Sequence, residues 1–100
     1  MIKKCASIEE VRACIDHLDR QIVSLLADRG AYVKQAAAFK TSTDEVKAPR
    51  RVEQVIAKVT ALAVEVGANT AVIEAVYRCM IEAFTKAELA EFAHKKAATD

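Results

Sequence analysis

The sequence predicts an all-α fold, and three observations carry that expectation. Apolar residues recur at alternating steps of three and four along most of the chain, the spacing of one buried helical stripe. The 100 residues are 53% hydrophobic but include only two Gly and one Pro, so long helices meet few breaks. Residue types that start and stop helices stand where the apolar pattern begins and ends. A chain this long allows one domain, residues 1–100.

The first stripe reads Ile8, Val11, Ile15, Leu18, Ile22, Leu25, Arg29, Tyr32, Ala36 and Phe39. Ser7-Ile8-Glu9-Glu10 is a capping box, with Ser7 as N-cap and Glu10 at the third helical position. The pattern then predicts a helix over residues 8–41, about 50 Å long at 1.5 Å per residue. Gly30 is a mild cost within it. Thr41-Ser42-Thr43-Asp44 breaks the pattern and predicts a loop to Ala48. Pro49 suits the first position of a second helix, which carries Val52, Val55, Ile56, Val59, Leu62, Ala63 and Val66 and stops at Gly67. Asn69 or Thr70 caps a third helix with the stripe Ile73, Val76, Tyr77, Met80, Ile81 and Phe84, expected to fray somewhere after Phe92.

Three helices, one of them very long, do not close a globule. A compact domain of this length has a radius of gyration of about 13 Å. The two shorter helices, about 27 and 35 Å long, cannot cover a 50 Å seam. A second copy of the chain can, with the long helices side by side. The expectation is an obligate, intertwined homodimeric bundle. An extended monomer would leave large apolar patches exposed, which is uncommon.

Formal net charge is +1, so no global field recruits nucleic acid or a membrane surface. Cys5, Cys14 and Cys79 are an odd count without a Cys-x-x-Cys pair and read as free thiols of a reducing compartment. The basic start, Lys3 and Lys4, is followed by no apolar run of a secretory signal, and no stretch of about 18 apolar residues spans a membrane. A cytoplasmic protein is expected. His17 and His94 lack ligand-spaced companions, so no metal is predicted. No P-loop, dinucleotide turn or Ser/His/Asp set is present, and no cofactor is implied.

Arg29 is the most informative residue. It lies on the apolar stripe, where a guanidinium costs several kcal/mol unless an anion meets it. Lys40 follows eleven residues later, at nearly the same azimuth and about 16 Å along the axis, so the two can reach one pocket. Arg12 lies about 25 Å before Arg29 and round the helix, and can serve that pocket only from a partner chain. Arg51, beside Val52, can join Lys40 across the loop. Glu88 continues the apolar face of the last helix after Tyr77, Ile81 and Phe84. Two readings stay open. Glu88 is either the internal, structural partner of Arg29 or Lys40, or a group held protonated by apolar surroundings in a pocket for a small dianion. Glu74, Arg78, Glu82 and Lys86 recur every four residues and read as a solvated face of favourable pairs.

The chain resembles the all-helical class of chorismate mutases, together with their relatives the isochorismate pyruvate lyases. The carriers are Val11-Arg12-x-x-Ile15-Asp16-x-x-Asp19, Leu26-Ala27-x-Arg29, Tyr32-Val33-Lys34 through Phe39-Lys40, Ala48-Pro49-x-Arg51-Val52, and Met80-Ile81-Glu82 leading to Glu88. The resemblance implies four cation positions at Arg12, Arg29, Lys40 and Arg51, with Arg12 donated across the dimer. It implies a catalytic set of Arg29, Lys40 and Glu88, with Val33, Val52 and Phe84 against the substrate. The partner is then a small-molecule dianion, chorismate or isochorismate, and no cofactor takes part.

Mutases of this class often carry acidic side chains beside the Arg51 position to take the substrate's C4 hydroxyl. Ala48 and Val52 stand there instead. Those positions, with Tyr32-Val33-Lys34, look closer to the lyase branch, whereas Glu88 replaces the Gln expected of a lyase. The first expectation is rearrangement of chorismate to prephenate. The alternatives are cleavage of isochorismate to salicylate and pyruvate, and a helical dimer that binds a metabolite or partner without turnover.

Overall fold

The computed structural model describes residues 2–99. Most of them lie in four helices: α1 (Ile8–Ala37), α2 (Thr43–Lys47), α3 (Pro49–Val66) and α4 (Thr70–Thr99). No strand occurs among the described residues. The all-α expectation holds, and the three long elements are those the apolar stripes predict. None of the described helices is long and apolar enough to cross a membrane.

The start of α1 is built as its sequence predicts. Ser7 Oγ accepts from the Glu10 N–H at 3.2 Å, and Glu10 Oε2 accepts from the Ala6 N–H at 2.9 Å. The Glu10 N–H, which the first turn leaves without a helical partner, and the Ala6 N–H just before the cap are thereby satisfied. Its end differs from expectation. The helix stops at Ala37 rather than near residue 41. Ala38, Phe39 and Lys40 then donate to the carbonyls of Gln35, Ala36 and Ala37, tightening the last turn through i→i−3 bonds. Phe39 therefore leaves the stripe and is 85% exposed.

The predicted loop over residues 41–48 contains a helix of its own, α2. Ser42 is its N-cap and accepts from the Glu45 N–H at 3.2 Å. Glu45 reaches back to the Thr41 N–H at 2.6 Å and to the Thr41 hydroxyl at 3.0 Å. This is the Ser-x-x-Glu device of residues 7–10 used again, and its short length hid it from a reading of apolar periodicity. Ala48 ends α2 in the left-handed region at φ 38° and at once precedes Pro49, the first residue of α3. Gly67 closes α3 at φ 75°, where its N–H meets the Ala63 and Val64 carbonyls. Asn69 caps α4, its Oδ1 accepting from the Val72 N–H at 3.1 Å. That helix runs on beyond Phe92 as far as Thr99. Ala87, Ala90, Ala93 and Ala97 are good helix formers and supply no stop signal.

Two compact units divide the chain, the first ending at Tyr32 and the second beginning at Val33. The first consists of the N-terminal segment and most of α1. Its apolar stripe is open in the single chain, with Ile8, Ile15, Leu18, Ile22 and Leu25 each about half or more exposed. In the second unit both α2 and α3 pack against α4. Ala37, Val46, Ile56 and Ala63 are its buried apolar residues. Arg78 of α4 also holds α3 from outside, donating to both oxygens of Glu53 at 2.9 and 3.0 Å while its Nε meets Glu74 at 2.9 Å.

Candidate functional site

Glu88 is the buried charged residue of the second unit, 8% exposed on α4. A carboxyl so enclosed requires a donor. Lys40 supplies it, with Nζ 2.9 Å from Glu88 Oε2. The two residues lie 48 positions apart, and the fold of the second unit brings them together. Lys40 stands just after the tightened end of α1 and two residues before the Ser42 cap of α2. The hydrogen bonds of Thr41 and Ser42 with Glu45 fix the backbone beside it. Those bonds from Thr41, first through its N–H and then its hydroxyl, favour the charged form of Glu45 and hold its pKa below the usual carboxylate value; the Lys40 charge adds to this.

The pair is asymmetric. The Glu88 side chain is 6% exposed and that of Lys40 is 23% exposed. The ammonium carries three donors, and Glu88 takes one of them. At 2.9 Å the ammonium can donate to a carboxylate or to the carbonyl oxygen of a protonated acid. Lys40 is thus anchored from the inside while its head stays within reach of solvent or of an anionic ligand.

The other predicted residues fall as follows. Arg51 is exposed near the start of α3, and Val52 beside it is half-buried, its N–H donating to the Ala48 carbonyl at 3.0 Å. Val33 in the last turns of α1 and Phe84 on α4, one turn before Glu88, are half-buried. Arg12 and Arg29 belong to the first unit, Arg12 exposed and Arg29 half-buried on α1. Glu74–Arg78 and Glu82–Lys86 form the predicted i,i+4 pairs, at 2.9 and 3.6 Å. Periodicity along α4 did not reveal Glu53, the cross-helix partner of Arg78, because that pairing depends on how α3 packs. Hydrogen bonds from the Arg78 guanidinium likewise hold Glu53 below the usual carboxylate range.

An apolar concavity lies near the start of the first unit. It has a volume of about 600 Å³ and is lined by Ile2, Cys5, Val11, Cys14, Ile15 and Leu18. Its lining is mostly apolar, so it suits coverage by an apolar surface better than capture of a dianion. The chemistry that recognises an anion resides instead in the cations, with Lys40 pre-positioned by Glu88.

Comparison with known proteins adds two findings. The family model described as chorismate mutase type II matches residues 11–89, a span that contains every candidate residue from Arg12 to Glu88. An isochorismate pyruvate lyase from Pseudomonas aeruginosa is 32% identical over 77 residues, covering 77% of this chain and 76% of that relative.

Proposed function

This chain belongs to the chorismate mutase type II family, and from that membership we propose that it rearranges chorismate to prephenate in a cationic pocket shared across a homodimer. The observation that carries the proposal is the Lys40–Glu88 pair, a buried carboxyl that holds a cation at the edge of solvent. The reaction is a unimolecular pericyclic step and needs no nucleophile. It needs the dianion held folded, with its reacting carbons close. It also needs donors where negative charge grows, on the ether oxygen whose bond breaks.

In this reading Arg29, and Arg12 from the partner subunit, bind the substrate carboxylates through paired N–H donors. Lys40 uses the donors that Glu88 leaves over, toward the ether oxygen and a carboxylate. In its protonated form Glu88 donates to the same oxygen from the other side. Arg51 adds positive charge, and Val33, Val52 and Phe84 shape the apolar walls. Support for the dimer comes from the open stripe of α1: apolar side chains at this spacing bury themselves against a like helix.

A second reading has specific support. The relative is an isochorismate pyruvate lyase, and Ala48 and Val52 offer no acceptor for a C4 hydroxyl. The same cations would then hold isochorismate while it is cleaved to salicylate and pyruvate. Pure protein is incubated with chorismate and with isochorismate separately, and the products are identified. Prephenate with the higher kcat/KM supports the mutase reading. Salicylate as the faster product reverses the ranking. Turnover of neither, with either dianion still bound, makes the chain a non-catalytic binding protein.

A further inference from the structure

The N-terminal segment carries chemistry that the proposed reaction does not use. Cys5 and Cys14 are both half-buried, and their sulfurs lie 3.9 Å apart. Nine residues separate them in sequence, and the α1 cap explains their meeting. The bonds of Ala6 and Ser7 with Glu10 turn the chain at the helix start. Residues before the cap are thereby laid back along the helix, and Cys5 comes to rest against Cys14. Cys14 is fixed on α1, while Cys5 stands on non-helical backbone. A disulfide requires the sulfurs to close to about 2.0 Å. That approach asks only for side-chain rotation and a small shift of the free segment.

We propose that Cys5 and Cys14 form an oxidisable dithiol, which a hydroperoxide converts to an intramolecular disulfide that staples the N-terminal segment to α1. The Cys14 thiolate attacks one peroxide oxygen and breaks the O–O bond. The departing hydroxide takes a proton and leaves as water, and Cys14 becomes a sulfenic acid. The Cys5 sulfur then attacks the Cys14 sulfur. The sulfenic oxygen departs with a proton as a second water, and the S–S bond remains. Two thiols and one hydroperoxide thus give one disulfide and two waters when the peroxide is hydrogen peroxide. Burial, followed by the neighbouring Cys14 thiol, pushes Cys5 up from its ordinary value. Arg12 lies inside the bridged loop, so the staple reinforces the turn of α1 that carries it.

The test uses the full chain, reduced and then treated with hydrogen peroxide, with no reductant present. Titratable thiols should fall from three per chain to one, with the loss of two hydrogens in the intact mass. Tryptic peptides 5–12 and 13–20 should be joined, and Cys79 should still alkylate. Dithiothreitol should restore all three thiols. The Cys79→Ser variant should behave alike, whereas Cys5→Ser should carry Cys14 on to sulfinic acid. Overturning results are peptides 5–12 and 13–20 that remain separate while Cys14 over-oxidises in the parent chain, or a disulfide between chains through Cys79. None of these readouts depends on which reaction the protein catalyses.

Discussion

Lys40→Met should destabilise the protein more than Glu88→Gln, although each removes one partner of the same ion pair. The magnitude follows from burial. Lys40→Met leaves a carboxyl that is 6% exposed without its cation. Removing one partner of a buried pair costs about 3–5 kcal/mol, and the lower end applies because the lysine edge of the site is open. Glu88→Gln leaves a cation whose side chain is 23% exposed. Lys40 can rehydrate, and the Gln carbonyl still accepts its hydrogen bond, so about 1 kcal/mol is expected. The double variant Lys40→Met/Glu88→Leu removes both charges and should return to within about 1 kcal/mol of the parent. Equilibrium urea unfolding near neutral pH measures all four proteins at one protomer concentration, because association and folding are linked in a dimer. The exposed pair Glu82–Lys86, with side chains 71% and 75% exposed, is the control. Its disruption should cost about 0.5 kcal/mol or less. The reasoning is refuted if Lys40→Met costs no more than this control, or if the double variant is as unstable as Lys40→Met alone.

Three further outcomes are expected. An Arg12→Ala chain mixed with an Arg29→Ala chain should regain activity, since a heterodimer with shared sites restores one intact site; no recovery after confirmed subunit exchange would place both arginines in one chain's function or in none. Glu88→Gln should stay active, because its amide N–H can donate to the ether oxygen where a protonated Glu88 would; kcat/KM of the variant reads this, and a folded but inactive variant would remove that donor role from Glu88. The acid limb of stability should soften in Glu53→Gln. Bonds to Arg78 depress the folded-state pKa of Glu53, so its contribution is complete above the unfolded value and is lost as pH falls through the lowered one. Melting temperatures across that acid range read this, and an unchanged acid limb would show that the surface bond contributes nothing.

The local elements were legible because each is specified by neighbours in sequence. Ser7 with Glu10 starts α1, Pro49 opens α3, Gly67 closes it and Asn69 caps α4, all through hydrogen bonds spanning a few residues or a local backbone preference. Where the apolar pattern was the sole guide, boundaries moved. The pattern runs on through Phe39, yet the backbone tightens after Ala37. Residues 43–47 are too few to show a period, although Ser42 and Glu45 carried the same start signal as Ser7 and Glu10.

The site divides along the same line. Its residue types and their order were readable, since a cation on an apolar stripe and a carboxyl on another each demand an explanation from desolvation alone. Spacing on one helix relates only residues of that helix, so it left the partner of Glu88 open between Arg29 and Lys40. The sequence by itself determined an all-α chain, the starts of its long helices, an unpartnered apolar stripe on α1 and the presence of charges that must be neutralised. Only the tertiary structure decided that Lys40 meets Glu88 at 2.9 Å, that Glu53 meets Arg78, and that Cys5 rests against Cys14. The physical reason is range: a helix period and a cap are set within one or two turns, whereas a contact across 48 or 25 positions depends on how the intervening chain turns and packs.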